Sequence, residues 1–312
     1  MFGTSLSRGM ASRCAAAAAI LATTFVGASG AGRPVPRAGL LAFVHAQGNR
    51  AAIVVESAAG GARRVLTSPT GEGGDFDPAW SPDGRLIVFS RSTDGWRTRD
   101  LWLVDVVHRG LTRLTRTPGF AEKPAWSPDG RWIAFSRIEV GRPGCYRPDL
   151  YVVRPDGRGL RRVVKVPTGV DDVAWSPDGR EIAFETPRSM TDNAPHDVWV
   201  VRPDGTHRRW LLANAGQPDW STDGRRIAFV RGRGLGLEIF AARADGRGAR
   251  RLTRNAVFDD GPSWSPDGSS IAFSSVRGGM QDVYVMRGDG SGVRRLTRNG
   301  ASSGSHSPDW RA

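Results

Sequence analysis

Trp80-Ser81-Pro82-Asp83-Gly84 decides the fold, because the same five residues return at 126–130, 175–179 and 264–268. A variant, Trp220-Ser221-Thr222-Asp223-Gly224, fills the one gap, and a last copy breaks off at Trp310. The tryptophans stand 46, 49, 45, 44 and 46 residues apart. A period of roughly 40–50 residues is that of one four-stranded propeller blade. Inside the motif, proline presets the φ of the second turn position. Aspartate bonds back to nearby amides, and glycine takes the positive φ that ends the turn.

Working outward, a strand A leads into each motif (Asp77-Pro78-Ala79-Trp80) and a strand B leaves it (Leu86-Ile87-Val88-Phe89). Strand C follows as Asp100-Leu101-Trp102-Leu103-Val104 and strand D as Leu111-Thr112-Arg113-Leu114-Thr115, each echoed in later repeats. Before the first tryptophan lie Leu41-Ala42-Phe43, Ile53-Val54-Val55 and Arg64-Val65-Leu66-Thr67, which match B, C and D with no A. After the last full repeat comes Pro308-Asp309-Trp310, an A with nothing behind it. The sequence therefore predicts an all-β, six-bladed propeller with four strands per blade, closed by N-terminal strands B–D pairing with a C-terminal strand A. Such closure hides the edge strands that a linear array would expose.

Spacing separates scaffold from variable rim. Tryptophan to the strand B phenylalanine is always nine residues, and the start of strand C to the end of strand D always fourteen. The B–C and D–A connections vary instead, each between nine and fourteen. Loop variation on a fixed scaffold is where binding usually lives, so the B–C/D–A rim is the expected working face.

The Trp-Ser-Pro-Asp-Gly-x-x-Ile-Ala-Phe repeat, with its Asp-hydrophobic-Tyr/Trp-Val strand and closing Arg-Leu-Thr, resembles the TolB-type propeller family (WD40-like or PD40 repeats) over roughly residues 38–312. The resemblance implies a stand-alone binding propeller of the cell envelope, without the additional N-terminal α/β domain that TolB carries. Similar propellers front serine oligopeptidases, whose hydrolase domain has no counterpart here.

The D–A loops place acids just before strand A, the strand expected to line the central channel. The candidate ligand-binding residues are Asp75, Asp77, Glu122, Asp171, Asp172, Asp259 and Asp260, with Lys123 and His306 at equivalent positions on other blades. Converging carboxylates repel one another, so a cation, a basic partner or raised pKa values must compensate. The expected function is an exported, non-catalytic scaffold that recognises an envelope protein or peptide at the channel mouth. One alternative is a hydrolase or lactonase using the same carboxylates, with or without Ca²⁺, the metal that oxygen ligands suit. Another is a scaffold holding an anionic polymer on arginines such as Arg250, Arg251, Arg294 and Arg295. No other cofactor is expected, and the scattered histidines have no zinc spacing. Gly300-Ala301-Ser302-Ser303-Gly304 copies a nucleophile-elbow pattern, but the helix and the following acid and histidine that this chemistry needs have no room after it.

The formal charge is +13, and of the 44 basic residues only Lys123 and Lys165 are lysine. Such a balance suits an anionic partner, or equally a surface on which arginine serves wherever a solvated cation will do, since the arginines recur at the same repeat positions. Nucleic acid is not expected, since the chain reads as exported and lacks an aromatic–basic alternation of the single-strand-binding kind. Residues 1–31 read as a signal peptide, with Arg8 and Arg13 before the apolar run Cys14–Val26, which leaves 32–312 as the propeller. That run is shorter than the ~20 residues of a bilayer span. Its loss would leave Cys145 as the one cysteine, so no internal disulfide is expected. The mature protein is expected in the periplasm or outside the cell.

Overall fold

The computed structural model describes residues 39–311 apart from 70–72, 95–96, 117, 140–146, 192–193, 233, 278 and 301. The leader and Cys145 lie outside the described residues. Among those described, 24 strands alternate with turns, and the single helical element is the 3-10 turn Gly234–Gly236. Each predicted B and C strand is present, for example Leu86–Ser92 against Asp100–Asp105 in antiparallel register with Phe89 opposite Trp102.

Strand order in four of the sheets is A-B-C-D, each with four strands. The remaining sheet has eight strands. It holds the repeat Gly73–Trp80 to Leu111–Arg113 and the strands Leu40–Gln47, Arg50–Ser57 and Arg64–Val65, joined by a short parallel pairing of Arg50 and Ala51 with Gly73 and Gly74. Its first strand is C-terminal. Ser303–Trp310 pairs antiparallel with Leu40–Gln47, Leu41 facing Trp310 and Gln47 facing Ser303. Ser303–Trp310 thus stands beside Leu40–Gln47, Arg50–Ser57 and Arg64–Val65 in the order expected of a strand A next to strands B, C and D.

The innermost strands touch in succession. Gly73–Trp80 contacts Gly119–Trp126, which contacts Val173–Trp175, then Gly216–Trp220, Asp259–Trp264 and Ser303–Trp310, which returns to Gly73–Trp80. The core lies between the faces of neighbouring sheets. Val88, Leu101 and Leu103 of one repeat pack with Ile133, Phe135 and Tyr151 of the next. Across the junction of the termini, Leu41, Phe43 and Val54 pack with Ala272, Val283 and Trp310. The strand B phenylalanines Phe43, Phe89, Phe135, Phe184, Phe229 and Phe273 are all 0% exposed. That explains their invariant spacing, because truncating such a residue to alanine costs about 3–5 kcal/mol.

The turns show what the repeated Ser and Asp do. Ser81 Oγ donates to Asp83 Oδ1 (2.6 Å) and accepts from the Leu86 amide (2.9 Å), while the Arg85 amide donates to Asp83 Oδ1 (3.0 Å). The same triangle recurs at Ser127, Ser176, Ser221 and Ser265, so the threonine variant changes nothing essential. Gly84, Gly130, Gly179, Gly224 and Gly268 all take φ between 66° and 69°.

The closing Arg-Leu-Thr of strand D is explained too. Asp100 at the start of strand C accepts from Arg113 (2.5 Å) and from Thr115 Oγ1 (2.8 Å). Glu238 does the same with Arg251 and Thr253, and Asp282 with Arg295 and Thr297. Arg251 and Arg295, two of the arginines expected to hold an anionic polymer, are therefore already paired with carboxylates.

Candidate functional site

Three residues before each tryptophan stand Asp77, Lys123, Asp172, Gln217, Gly261 and Ser307. Five of them have positive φ: 51° at Asp77, 53° at Lys123, 50° at Gln217, 57° at Gly261 and 51° at Ser307. A proline follows each of these five, and proline disfavours the right-handed helical region in the residue before it. The pairing register shifts at the same point, between Phe76 and Ala79 and between Glu122 and Ala125, for instance. Each innermost strand therefore carries a β-bulge, a device that re-aims a side chain. The exception is Asp172, which precedes Val173, has no positive φ, and enters a shorter strand, Val173–Trp175.

The bulged residues form one layer across the axis. Lys123 Nζ bridges Asp77 Oδ1 (3.1 Å) and Asp172 Oδ1 (3.3 Å). On the other side the Gly261 amide donates to Gln217 Oε1 (2.7 Å), and the Ser307 amide donates to Ser274 Oγ (3.1 Å). Burial works to raise Asp77, yet Lys123 and Arg99 outweigh it and hold the carboxyl below its usual range. Burial works against the Lys123 charge, yet Asp172, Asp77 and Asp171 carry its pKa well above the usual value. Asp172 is pushed up to about 6 by burial, which the attraction of Lys123 only partly offsets.

A cavity of about 670 Å³ extends from this layer to the turn residues Pro82, Pro128, Pro177 and Thr222, and all six repeat tryptophans border it. It thus occupies the half of the axis nearer the A–B turns, whereas loop variation pointed to the opposite rim. Of the candidate residues, Asp77, Lys123, Asp172, Asp260 and His306 line it. Asp260 is pushed up to about 7 by burial, and its Oδ1 is buried without a hydrogen-bond partner among the described residues. His306 is lowered to about 4 by burial, and its Nδ1 lies 3.0 Å from Ser307 Oγ.

The other four candidates do not line the cavity. Asp75 is 0% exposed and forms a two-pronged pair with Arg91 (2.6 and 2.8 Å). Asp259 is equally buried and accepts from Arg277 (2.6 Å) and Asn255 (2.7 Å). Glu122 accepts from Arg99 (2.5 Å), with its pKa raised by burial. Asp171 rises to about 6 through burial and the neighbouring Glu185 charge. Alternation along strand A accounts for Asp75 and Asp259, which stand five residues before their tryptophans and face the sheet interior.

Two cavity carboxylates went unnoticed in the sequence. The residue before each tryptophan is Ala79, Ala125, Ala174, Asp219, Ser263 and Asp309. Asp219 accepts the Trp264 amide (2.6 Å) and Asp309 the Trp80 amide (2.7 Å), so each staples its repeat to the next. Burial raises Asp219 to about 8, helped by the Asp309 charge, and raises Asp309 to about 7. The signal was the change from Pro-Ala-Trp to Pro-Asp-Trp at an otherwise small position. Among the described residues no group of three or more His, Cys, Asp or Glu is arranged to hold a metal ion.

The TolB beta propeller domain family (PD40) matches residues 34–150 and 205–312. The chain belongs to this family. The stretch between the two matched parts contains Val173, where the bulge proline is missing. A Tol-Pal system protein, TolB 1 of Novosphingobium aromaticivorans, is 42% identical over 80 residues, covering 26% of this chain and 17% of that protein. The TolB structure from Acinetobacter baumannii superposes with a TM-score of 0.75 at 19% identity, over 89% of this chain and 67% of that one. A putative TolB from Agrobacterium tumefaciens gives 0.66 at 20% identity, over 88% and 99%. At such identities the structures establish a shared TolB-like propeller fold.

Proposed function

We propose that this TolB-family protein is a six-bladed propeller closed by its two termini, which binds a cationic segment of another envelope protein in its axial cavity and catalyses nothing. The cyclic succession of the six innermost strands and the pairing of Leu40–Gln47 with Ser303–Trp310 support the closed ring. Its leader, residues 1–31, directs export and is removed, leaving 32–312 in the periplasm or outside the cell. Protein binding accords with the Tol-Pal system named for the Novosphingobium relative.

The observation that carries the binding reading is the charge of the cavity. Asp77, Asp172, Asp219, Asp260 and Asp309 line it against one cation, Lys123. Lys123 pairs with Asp77 and Asp172 and attracts Asp260 from farther away, while Asp219, Asp260 and Asp309 make no ion pair among the described residues. The volume falls within the range of roughly 300–1,000 Å³ typical of ligand sites, so it admits a few side chains rather than a domain. A lysine or arginine entering between the turn prolines would draw these carboxyls into their charged form and release protons. Affinity therefore rises with pH between about 6 and 8.

Fluorescence anisotropy with labelled tri-lysine and tri-glutamate peptides tests this. Tri-lysine is expected to bind, more tightly at pH 8 than at pH 6, and to be lost in the Asp219→Asn/Asp260→Asn/Asp309→Asn variant. Equal binding of the two peptides, or a triple variant that still binds tri-lysine undiminished, would overturn the proposal.

A further inference from the structure

A second cavity, of about 730 Å³, lies on the opposite rim, in the B–C and D–A connections between two adjacent blades. One wall carries Glu185 and His196 and the other carries Arg231. Ala194, Pro195, Val230 and Leu237 supply apolar surface between them.

Arg231 is the cationic member. Its side chain lies over the rings of Phe229 and Phe240, at 5.1 Å from each centroid. Arg91 occupies the same slot over Phe89 and Trp102, and Arg277 over Phe273 and Tyr284. Those two arginines are neutralised by Asp75 and Asp259, each five residues before its tryptophan. In the blade of Arg231 that position is Ala215. The guanidinium instead donates to two backbone carbonyls, those of Asn214 (3.2 Å) and Ala213 (3.0 Å), and has no carboxylate partner among the described residues.

The nearby acids are already engaged. Glu238, opposite Arg231 in the sheet, accepts from Arg251 and Thr253. Glu185 accepts from the Gln217 amide (2.8 Å) and contacts His196 Nδ1. Gly216 permits this arrangement, since a Cβ there would meet the Glu185 carboxylate at 2.6 Å. A cation thus stands in a blade whose corresponding position is alanine where two other repeats carry aspartate, beside a cavity of ligand size.

We infer that this cleft binds a small organic acid, with Arg231 taking its carboxylate and the apolar wall taking its body. Arg231 is the cation of the cleft and Glu185 stands as a carboxylate on the facing wall, so a monoanion suits it better than a phosphate dianion. Arginine suits the role because its planar fork matches a carboxylate.

Calorimetry with benzoate as the probe, and with benzamide and inorganic phosphate as comparisons, decides the matter. Benzoate is expected to bind and neutral benzamide not to. Arg231→Gln weakens benzoate by about ten- to hundredfold, the usual effect of losing a charged hydrogen-bond partner. Ala215→Asp, which restores a carboxylate where Asp75 serves Arg91, abolishes binding while leaving the arginine in place. Asp260→Asn, in the axial cavity, leaves benzoate binding unchanged. The inference fails if benzoate and benzamide behave alike, if phosphate binds in place of benzoate, or if Arg231→Gln has no effect. The last of these outcomes decides even where Ala215→Asp does not fold.

Discussion

Replacing Asp219 by asparagine should stabilise the protein, and only at neutral and alkaline pH. The asparagine carbonyl can still accept the Trp264 amide that Asp219 holds at 2.6 Å, so the staple between blades survives and the charge goes. Burial and the Asp309 charge raise the folded pKa to about 8, from the usual 3.8. A carboxyl whose pKa is raised on folding contributes stability that is complete below about pH 4 and is lost as pH climbs towards the folded value. Between pH 5 and pH 7.5 that loss is about 2.5 units, or about 3 kcal/mol at ~1.4 kcal/mol per unit. Because Asp219 faces the axial cavity, where water relaxes the penalty, about 1–3 kcal/mol is the expected gain. For a chain of this size it raises the melting temperature by about 2–6 °C. Thermal unfolding followed by circular dichroism at pH 4.5, 6 and 7.5 measures it. The two proteins should converge at the acid end and separate as pH rises. A gap that is independent of pH, or an asparagine variant less stable at pH 7.5, would refute the reasoning.

Three further outcomes follow from the same geometry. Lys123→Met removes the cation that bridges Asp77 and Asp172, and should cost about 3–5 kcal/mol at pH 8 in urea unfolding. The cost should shrink towards pH 5, where Asp172 and Asp171 gain protons. Asp75→Ala strands the buried Arg91 guanidinium and should destabilise by a similar ~3–5 kcal/mol, while tri-lysine binding in the surviving folded fraction stays unchanged. Deleting residues 303–312 removes the strand that pairs with Leu40–Gln47 and uncovers Leu41 and Phe43. The product should aggregate or bind a hydrophobic dye, as seen by light scattering and fluorescence, and adding the missing decapeptide should reduce both.

The repeat made the strands legible because its spacings are fixed by buried chemistry: nine residues from tryptophan to a phenylalanine at 0% exposure, and a turn whose serine, aspartate and glycine each hold a bond or a φ. The site was legible only in part. Asp77, Asp172 and Asp260 were legible because acids recur in the D–A connections of different repeats. Asp75 and Asp259 were grouped with them, although alternation along strand A turns them to Arg91 and Arg277. The bulge at each X-Pro step then resets that alternation, which is why a simple count of two could not separate wall from interior. Asp219 and Asp309 were hidden by standing just outside the repeat motif, one residue before its tryptophan, where the other repeats carry alanine or serine. Arg231 could be recognised only once Arg91 and Arg277 were seen with their partners.

The junction between Leu40–Gln47 and Ser303–Trp310 also sets an order of events in the life of the chain. The two strands are separated by some 260 residues of sequence, so their meeting depends on the slowest kind of contact a chain can make. Every other sheet can be assembled from one continuous stretch as synthesis proceeds. Leu40–Gln47 is made early and waits for Ser303–Trp310, so the sheet that holds both stays without that strand while the five intervening repeats are made. The chain thus carries its own delay: the contact that covers Leu41 and Phe43 comes within reach only after the strands between have been laid down.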